Sequence, residues 1–483
     1  MKKTALRLRI ILLLTVSVVL YSSCKVSAPV QMPVVKNLPD SFLTVQDSGS
    51  VASLPVKQFF SDPNLISLID SAMVNNPDLL IAMQRIDMAR ADVLVRRGAL
   101  KPWIDGVVSV SGDRFGDYTM TGVGNFDTNL SPNINEKQKV NRSFTPDFFV
   151  GFRSTWEIDI WGKLKNQRKA AIAQLMATEM GRRFAVTNIV SGIAELYYEL
   201  MALDYELKII SKNVQLQEEA LEVVKVQKEG GRATELAVKQ FYAQLLNTKT
   251  REFRTKQMIV EVENQLNTLV GSYPTRIARD SSLMEQTLPI EVRSGLPSEI
   301  ITRRPDIMQA EFELEAAKAS VSAARAAFLP SLRLTPYVGF NSFKGNLLLN
   351  PGSIAFGLLG GITAPVFNQW QLKAGYQIAN AANKEAIFNY QKTLLNGFSE
   401  VVTQMNRIDN FSKVFELKSQ EVGELSGAVT IARDLYLTGY ANYLEIITAQ
   451  KGVLEAELQL VADKKEIFLA TIGLYRALGG GWE

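Results

Sequence analysis

The chain has 483 residues, 47% of them apolar, with 53 Lys and Arg against 49 Asp and Glu, a single cysteine and no histidine. That length and apolar share exclude a disordered chain and a small disulfide scaffold. One cysteine forbids an internal disulfide and argues against a thiolate metal cluster. The missing histidine removes the commonest general base and metal ligand, so the expectation is no catalytic residue, no metal and no cofactor.

Residues 1–23 have the grammar of an export signal: Lys2, Lys3, Arg7 and Arg9 precede an apolar segment, 10–20, that is too short to span a bilayer. Ser22 and Ser23 stand just before Cys24, which resembles a bacterial lipoprotein signal, although Tyr21 occupies a place where Leu is usual. The expectation is cleavage before Cys24 and acylation of its thiol. Loss of the leader leaves 49 basic against 49 acidic residues. A neutral chain without a clustered basic face gives no reason to expect a nucleic-acid partner.

An internal duplication organises the rest. NPDLLIAMQRIDMARADVLVRRGALKPWI (76–104) parallels RPDIMQAEFELEAAKASVSAARAAFLPSL (304–332), and GGRATELAVKQ (230–240) echoes TGYANYLEIIT (438–448). The chain divides into a tether and belt segment over 24–60, a first repeat over 61–270, a connector over 271–300 and a second repeat over 301–483. All 17 prolines lie outside 147–273 and 366–483, as expected of long helices. In the first of these stretches Val186, Ile189, Ile193, Leu196, Leu200 and Leu203 begin a 3-4 apolar repeat that continues to Val224, interrupted at Gln217. A matching repeat runs from Leu394 to Tyr436, and such spacing imposes left-handed coiled packing. A helix over 165–229 is roughly 98 Å long at about 1.5 Å per residue, too long for a compact core. Gly230, Gly231 and Gly439 interrupt these helices and mark hairpin turns.

Four segments have the period of two that marks strands: 103–112, 148–161, 331–341 and 353–366. In the second, Phe148, Val150, Phe152, Trp156 and Ile158 take one face, and Arg153, Thr155, Glu157 and Asp159 the other. In the third, Arg333 and Thr335 share the polar face. Lengths near ten residues, tryptophans near strand ends and polar loops over 113–147 and 342–352 fit an outer-membrane barrel. Glu157 and Asp159 are then solvated wall. A glycosidase needs two opposed carboxylates across a substrate, which neighbours at i and i+2 on one strand do not supply. Four strands cannot close, and unpaired edges are forbidden in lipid, so chains must share the barrel. Three copies give twelve strands and room for a passage, where two give eight and a filled interior.

GLPSEIITRRPDI (295–307), AAFLPSLRLT (326–335), STWEIDIWGK (154–163) and LYRALGGGW (474–482) together resemble the TolC-like outer-membrane efflux family, in the OprM-like lipoprotein branch of tripartite efflux systems. The resemblance covers nearly all of the mature chain. It implies a mixed α and β membrane protein in which each chain gives four strands to a trimeric twelve-stranded β-barrel and a long periplasmic α-helical barrel. The implied partners are two further copies of the chain, a periplasmic adaptor, and an inner-membrane transporter of the resistance-nodulation-division type. Outer-membrane lipid is reached through the acylated N-terminus. The resemblance places a periplasmic gate at the two hairpin turns, over Gly231, Arg232 and Glu235 in one and Gly439, Tyr440, Ala441 and Asn442 in the other. The family often has an Asp where this chain has Ala441, so no carboxylate ring is expected there. Arg303 and Arg304 tempt an anion-binding reading; a link between the halves that starts a helix at Pro305 is preferred. Two alternatives stand beside the export channel: a structural coiled-coil lipoprotein without a pore, and, more remotely, a degradative surface enzyme.

Overall fold

The structure, a computed structural model, describes residues 32–34, 39, 54–279, 283–286, 297–367 and 369–482. The leader over 1–23, the acylation candidate Cys24, most of the tether and part of the connector lie outside the described residues. The elements, in order, are α1 (Val56–Phe59), α2 (Pro63–Asn75), α3 (Pro77–Gly98), β1 (Trp103–Asp113), α4 (Met120–Leu130) and β2 (Thr145–Ile158). Then come α5 (Lys163–Glu229), α6 (Glu235–Val270), α7 (Pro297–Arg303), α8 (Pro305–Ala326), β3 (Ser331–Ser342), β4 (Ile354–Thr363), α9 (Trp370–Thr438) and α10 (Tyr443–Ala477). One order recurs: a 22-residue helix, two strands, a helix of 67 or 69 residues and a return helix of 36 or 35.

The chain divides into two compact units. One contains Met88–Leu175 and Glu313–Ala386; the other contains Val34–Asp87, Met176–Phe312 and Ile387–Glu483.

The first unit is built on an antiparallel sheet in the order β1-β2-β3-β4. The register stacks Val108 on Val150, Val150 on Phe340 and Phe340 on Ile354, so one face is apolar across all four strands. Gly151 faces Gly339 in the central pair. A Cβ on Gly151 would lie 2.4 Å from the Val338 carbonyl oxygen, and one on Gly339 2.5 Å from that of Val150. The backbones therefore need glycine at both positions, and the buried Phe149 ring covers the gap on the opposite face. The loop expected over 113–147 contains α4, whose start is capped by the Thr119 hydroxyl accepting the Gly122 N–H at 3.0 Å. Arg142 packs on Phe126 of that helix at 4.5 Å.

The second unit is helical and, among the described residues, has three apolar cores. One gathers Phe59, Leu65, Ile193, Tyr197, Leu200 and Tyr475, with Phe59 stacked on Tyr475 at 4.0 Å. Asp62 caps α2 and also accepts the Tyr197 hydroxyl at 2.8 Å. A second core joins Ile300, Ile307, Leu394, Val401 and Leu474. The third joins Ile210, Val214, Leu221, Phe241, Ile446 and Leu454. The apolar stripe of the sequence therefore faces inward along α5.

Arg304 settles the anion question. Its buried guanidinium bonds Asp306 at 2.7 and 3.0 Å, Glu400 at 2.9 Å and the Ala477 carbonyl at 2.8 Å. Burial alone would lower its pKa, but the two carboxylates more than reverse this and the pKa is raised. The charge is spent inside the protein, tying α8, α9 and the end of α10 together.

Candidate functional site

Two sets of residues matter: the polar face of the sheet and the hairpin turns of the helical unit.

On the sheet, Arg153, Thr155, Glu157, Arg333 and Thr335 fall on one face because side chains alternate along a strand. Arg333 stands opposite Glu157, and Tyr337 opposite Arg153. Glu157 is ion-paired with Lys163 and lies 3.7 Å from Arg333 Nη2. The Arg153 guanidinium covers the Phe149 ring at 4.6 Å. Thr335 donates its hydroxyl to the Leu359 carbonyl at 3.3 Å, and Thr155 pairs across the ladder with Trp103. Asp105 of β1 stands opposite Arg153, so two carboxylates, Glu157 and Asp105, face the cations of this strip.

Asp159 does not belong to that strip, which corrects the expectation that it stands beside Glu157. β2 ends at Ile158, and the Asp159 carboxylate accepts the backbone N–H groups of Leu164 at 2.9 Å and Lys165 at 2.8 Å. Gly162, at φ 75°, turns the chain from strand into helix. Asp159 thus satisfies free donors at the start of α5, where the helix dipole also favours a negative charge. Trp161, expected to close the strand, instead donates its indole N–H to the Pro330 carbonyl at 2.8 Å.

The two hairpin turns repeat one geometry. Gly231 and Gly439 sit at φ 71° and 83°, a left-handed conformation natural to glycine. The following residues, Arg232 and Tyr440, donate to the carbonyls of Gln227 and Leu435, both at 2.8 Å, and the glycines donate to Lys228 and Tyr436. This is the Schellman closure of a helix end. The next helices are capped in turn: Thr234 accepts the Ala237 N–H at 3.2 Å, and Asn442 the Leu444 N–H at 2.8 Å. Asn442 is therefore a helix cap. Glu235 pairs with Lys228 at 2.5 Å and Lys239 at 3.5 Å, and the Lys228 contact holds its carboxyl below the usual range. Tyr440 projects into solvent and Ala441 is partly covered. Between the hairpins, the Tyr436 hydroxyl donates to the Gln227 side chain.

A polar seam within the helical unit escaped the sequence analysis. Lys465 of α10 bonds Glu199 of α5 at 2.8 Å, and Glu206 lies in the field of the same lysine. Burial pushes the carboxyls of Glu195, Glu206 and Glu457 up, only partly offset by Arg476 and Arg407, Lys465, and Lys212 respectively. The signal that could have found it is a polar heptad, Glu199, Glu206 and Asn213, running beside the apolar one.

The model of the outer membrane efflux protein family matches residues 68–272 and 296–480. The chain is 28% identical over 439 residues, 90% of each protein, to the solvent efflux pump outer membrane protein SrpC of Pseudomonas putida. It is 26% identical to the probable outer membrane lipoprotein SilC of Salmonella typhimurium over 455 residues, 94% of this chain and 93% of SilC. To the cation efflux system protein CusC of Escherichia coli it is 27% identical over 427 residues, 88% of each. A crystal structure of CusC matches with a TM-score of 0.81 at 26% identity, covering 95% of this chain and all of that one. The polar-faced sheet, the paired hairpins and these likenesses converge: the chain belongs to the outer membrane efflux protein family, a family of outer-membrane export channels.

Proposed function

We propose that three copies of this chain form one passive export duct, each adding its four strands to a twelve-stranded barrel in the outer membrane and its long helices to a periplasmic tunnel. The observation that carries this reading is the sheet. Its apolar face is open, with Val108 81% and Phe356 79% exposed, and its edges are β1 and β4. Such a face suits lipid, but such edges do not, since backbone groups at lipid depth must all be paired. Other copies of the sheet supply the missing pairs. Among the described residues no helix is long and apolar enough to cross a membrane.

Arg153, Thr155, Glu157, Arg333 and Thr335 then line a wet lumen, and the mechanism is conduction with no covalent step. The gate lies at the two hairpin turns around Gly231, Arg232, Glu235, Gly439, Tyr440, Ala441 and Asn442. A periplasmic adaptor, working with an inner-membrane transporter of the resistance-nodulation-division type, draws the hairpins apart and shifts the closed state to open. Cys24 carries the lipid anchor, a reading supported by the lipoprotein name of SilC. SrpC is named for solvents and CusC for cations at nearly equal identity to this chain, so the choice of cargo is assigned to the transporter.

Planar-bilayer recording of the purified protein tests the reading. Wild type should give small, discrete conductance steps, and Tyr436→Phe, which removes the tie to Gln227, should give larger or longer openings. A protein that extracts from outer membranes as a nonconducting monomer would instead favour a structural lipoprotein without a pore.

A further inference from the structure

The polar face of the sheet carries one exposed cation that no carboxylate neutralises. Glu157 is shared between Lys163 and Arg333. Arg153 faces Asp105 in register, yet among the described residues it makes no ion pair. Asp105 instead accepts the Trp103 indole N–H at 2.6 Å, and the Arg153 guanidinium lies over the Phe149 ring at 4.6 Å.

The ground around that guanidinium is built from the backbone up. Phe149 is buried, and its ring tip lies 3.1 and 3.0 Å from where a Cβ on Gly151 or Gly339 would stand. Tyr337, opposite Arg153 on β3, lies across Gly357, where a Cβ would come within 2.5 Å of its ring. The two rings meet edge to face at 6.2 Å. Three glycines thus keep room for two rings on this wall. The adjoining row, Val107, Gly151, Gly339 and Ala355, has no polar side chain. Tyr337 is 42% exposed, and its hydroxyl has no hydrogen bond among the described residues. A guanidinium held on a ring offers its N–H edge in a fixed plane. An inorganic anion would use that edge and leave the rings idle, and a neutral arene would use the rings and leave the charge idle. An arene that bears a carboxylate uses both.

We propose that Arg153, Phe149 and Tyr337 form a binding site for a planar aromatic carboxylate. The carboxylate accepts N–H groups from the guanidinium edge, and its ring lies along the wall against Tyr337 and the apolar row. That such a ligand is cargo held in passage rests on the export-duct reading; the binding itself does not.

The test is fluorine NMR of 4-fluorobenzoate with the full-length protein in detergent, against 4-fluorobenzamide, which keeps the ring and loses the charge. Cyclohexanecarboxylate, which keeps the charge and loses the plane, serves as a competitor. A protein-free micelle blank corrects for partitioning. Wild type should bind the benzoate about tenfold more tightly than the benzamide, the ratio expected of one charge-assisted contact. Cyclohexanecarboxylate should compete about threefold less well than unlabelled benzoate, the share of a stacking contact. In Arg153→Gln the preference for benzoate over benzamide should fall to about one, with the melting temperature unchanged because the side chain is exposed. Arg153→Lys keeps the charge without the planar fork, so benzoate and cyclohexanecarboxylate should become equal. Arg333→Gln removes the same charge about 13 Å along the ladder, beyond the roughly 8–10 Å screening length, and should leave the preference within about twofold. No binding of either probe, equal wild-type affinity for the two, a preference that survives in Arg153→Gln, or an equal loss in Arg333→Gln overturns the proposal. A protein that binds as expected but passes no current in planar bilayers would sink the duct reading and leave the site standing.

Discussion

Asp159 and Glu157 have the same charge two residues apart, yet their surroundings give them different tasks. The Asp159 carboxylate is engaged by two backbone N–H groups at the start of α5, so Asp159→Ala should destabilise the protein by about 1 kcal/mol, read by denaturant unfolding. Asp159→Asn should retain most of that stability, and neither change should move the reversal potential in a salt gradient. Glu157 faces Lys163 and Arg333. Removing its charge as Glu157→Gln leaves two uncompensated cations on the wall, so the reversal potential should shift toward anion preference. If Asp159→Ala shifts selectivity as much as Glu157→Gln does, the assignment of Asp159 to the helix start is wrong. Period-two alternation made the polar face of the sheet legible in the sequence, since Arg153, Glu157 and Arg333 follow from counting. It could not show where the strand stops, because the pattern continues through Asp159 and Trp161 while the backbone turns at Gly162.

Between elements, the buried polar groups mark where helices are tied. Arg304 serves α8, α9 and the end of α10 through one side chain that is 5% exposed. Arg304→Met should lower stability by ~3–5 kcal/mol, because Asp306 and Glu400 lose the charge that compensates them. Urea unfolding measures this, and a loss below about 1 kcal/mol, the level of exposed pairs, would show that the network is peripheral. Along the α5 and α10 seam, burial raises the Glu206 carboxyl. A folded-state value above the unfolded one means no penalty at low pH, where both states are protonated, and a penalty that grows as pH rises through the raised value. Glu206→Gln should therefore be more stable than wild type at about pH 8, with the difference closing by about pH 3, below the ordinary glutamate range. A gap that widens on acidification would reverse the assigned direction. Proline avoidance and the 3-4 stripe made the long helices legible. The seam was not, because isolated glutamates on a helix read as solvent-facing until the opposing Lys465 and Arg476 are placed against them. Nor was α4, whose Gly122, Gly124 and Asn125 are poor helix formers and whose start depends on one threonine cap.

At the scale of the assembly, the single chain leaves two kinds of surface unsatisfied. Along α5 the stripe from Val186 to Val224 is almost wholly buried within the chain, whereas on α9 Phe415, Val422, Leu425 and Val429 are only half-buried and Leu417 and Ile431 lie exposed. The sheet likewise ends in β1 and β4. Both are met if β1 of one copy pairs with β4 of the next around a closed ring, since a heterologous contact closes only when its rotation divides the circle. Cysteine cross-linking reads that number directly. Cys24 is the only native cysteine and, acylated as proposed, offers no free thiol, so the introduced pairs have a clean background. Ser109→Cys on β1 can be combined in turn with Ala355→Cys, Gly357→Cys or Leu359→Cys on β4, all on the polar face by register. Only adjacent strands bring two cysteine Cα atoms within the roughly 4.4–6.8 Å that a disulfide allows. Oxidation of at least one pair should yield species of one, two and three chains, with the largest closed and nothing above it. A ladder that stops at two would leave eight strands and a filled interior, and one that runs past three would mean that the ring does not close at the proposed number.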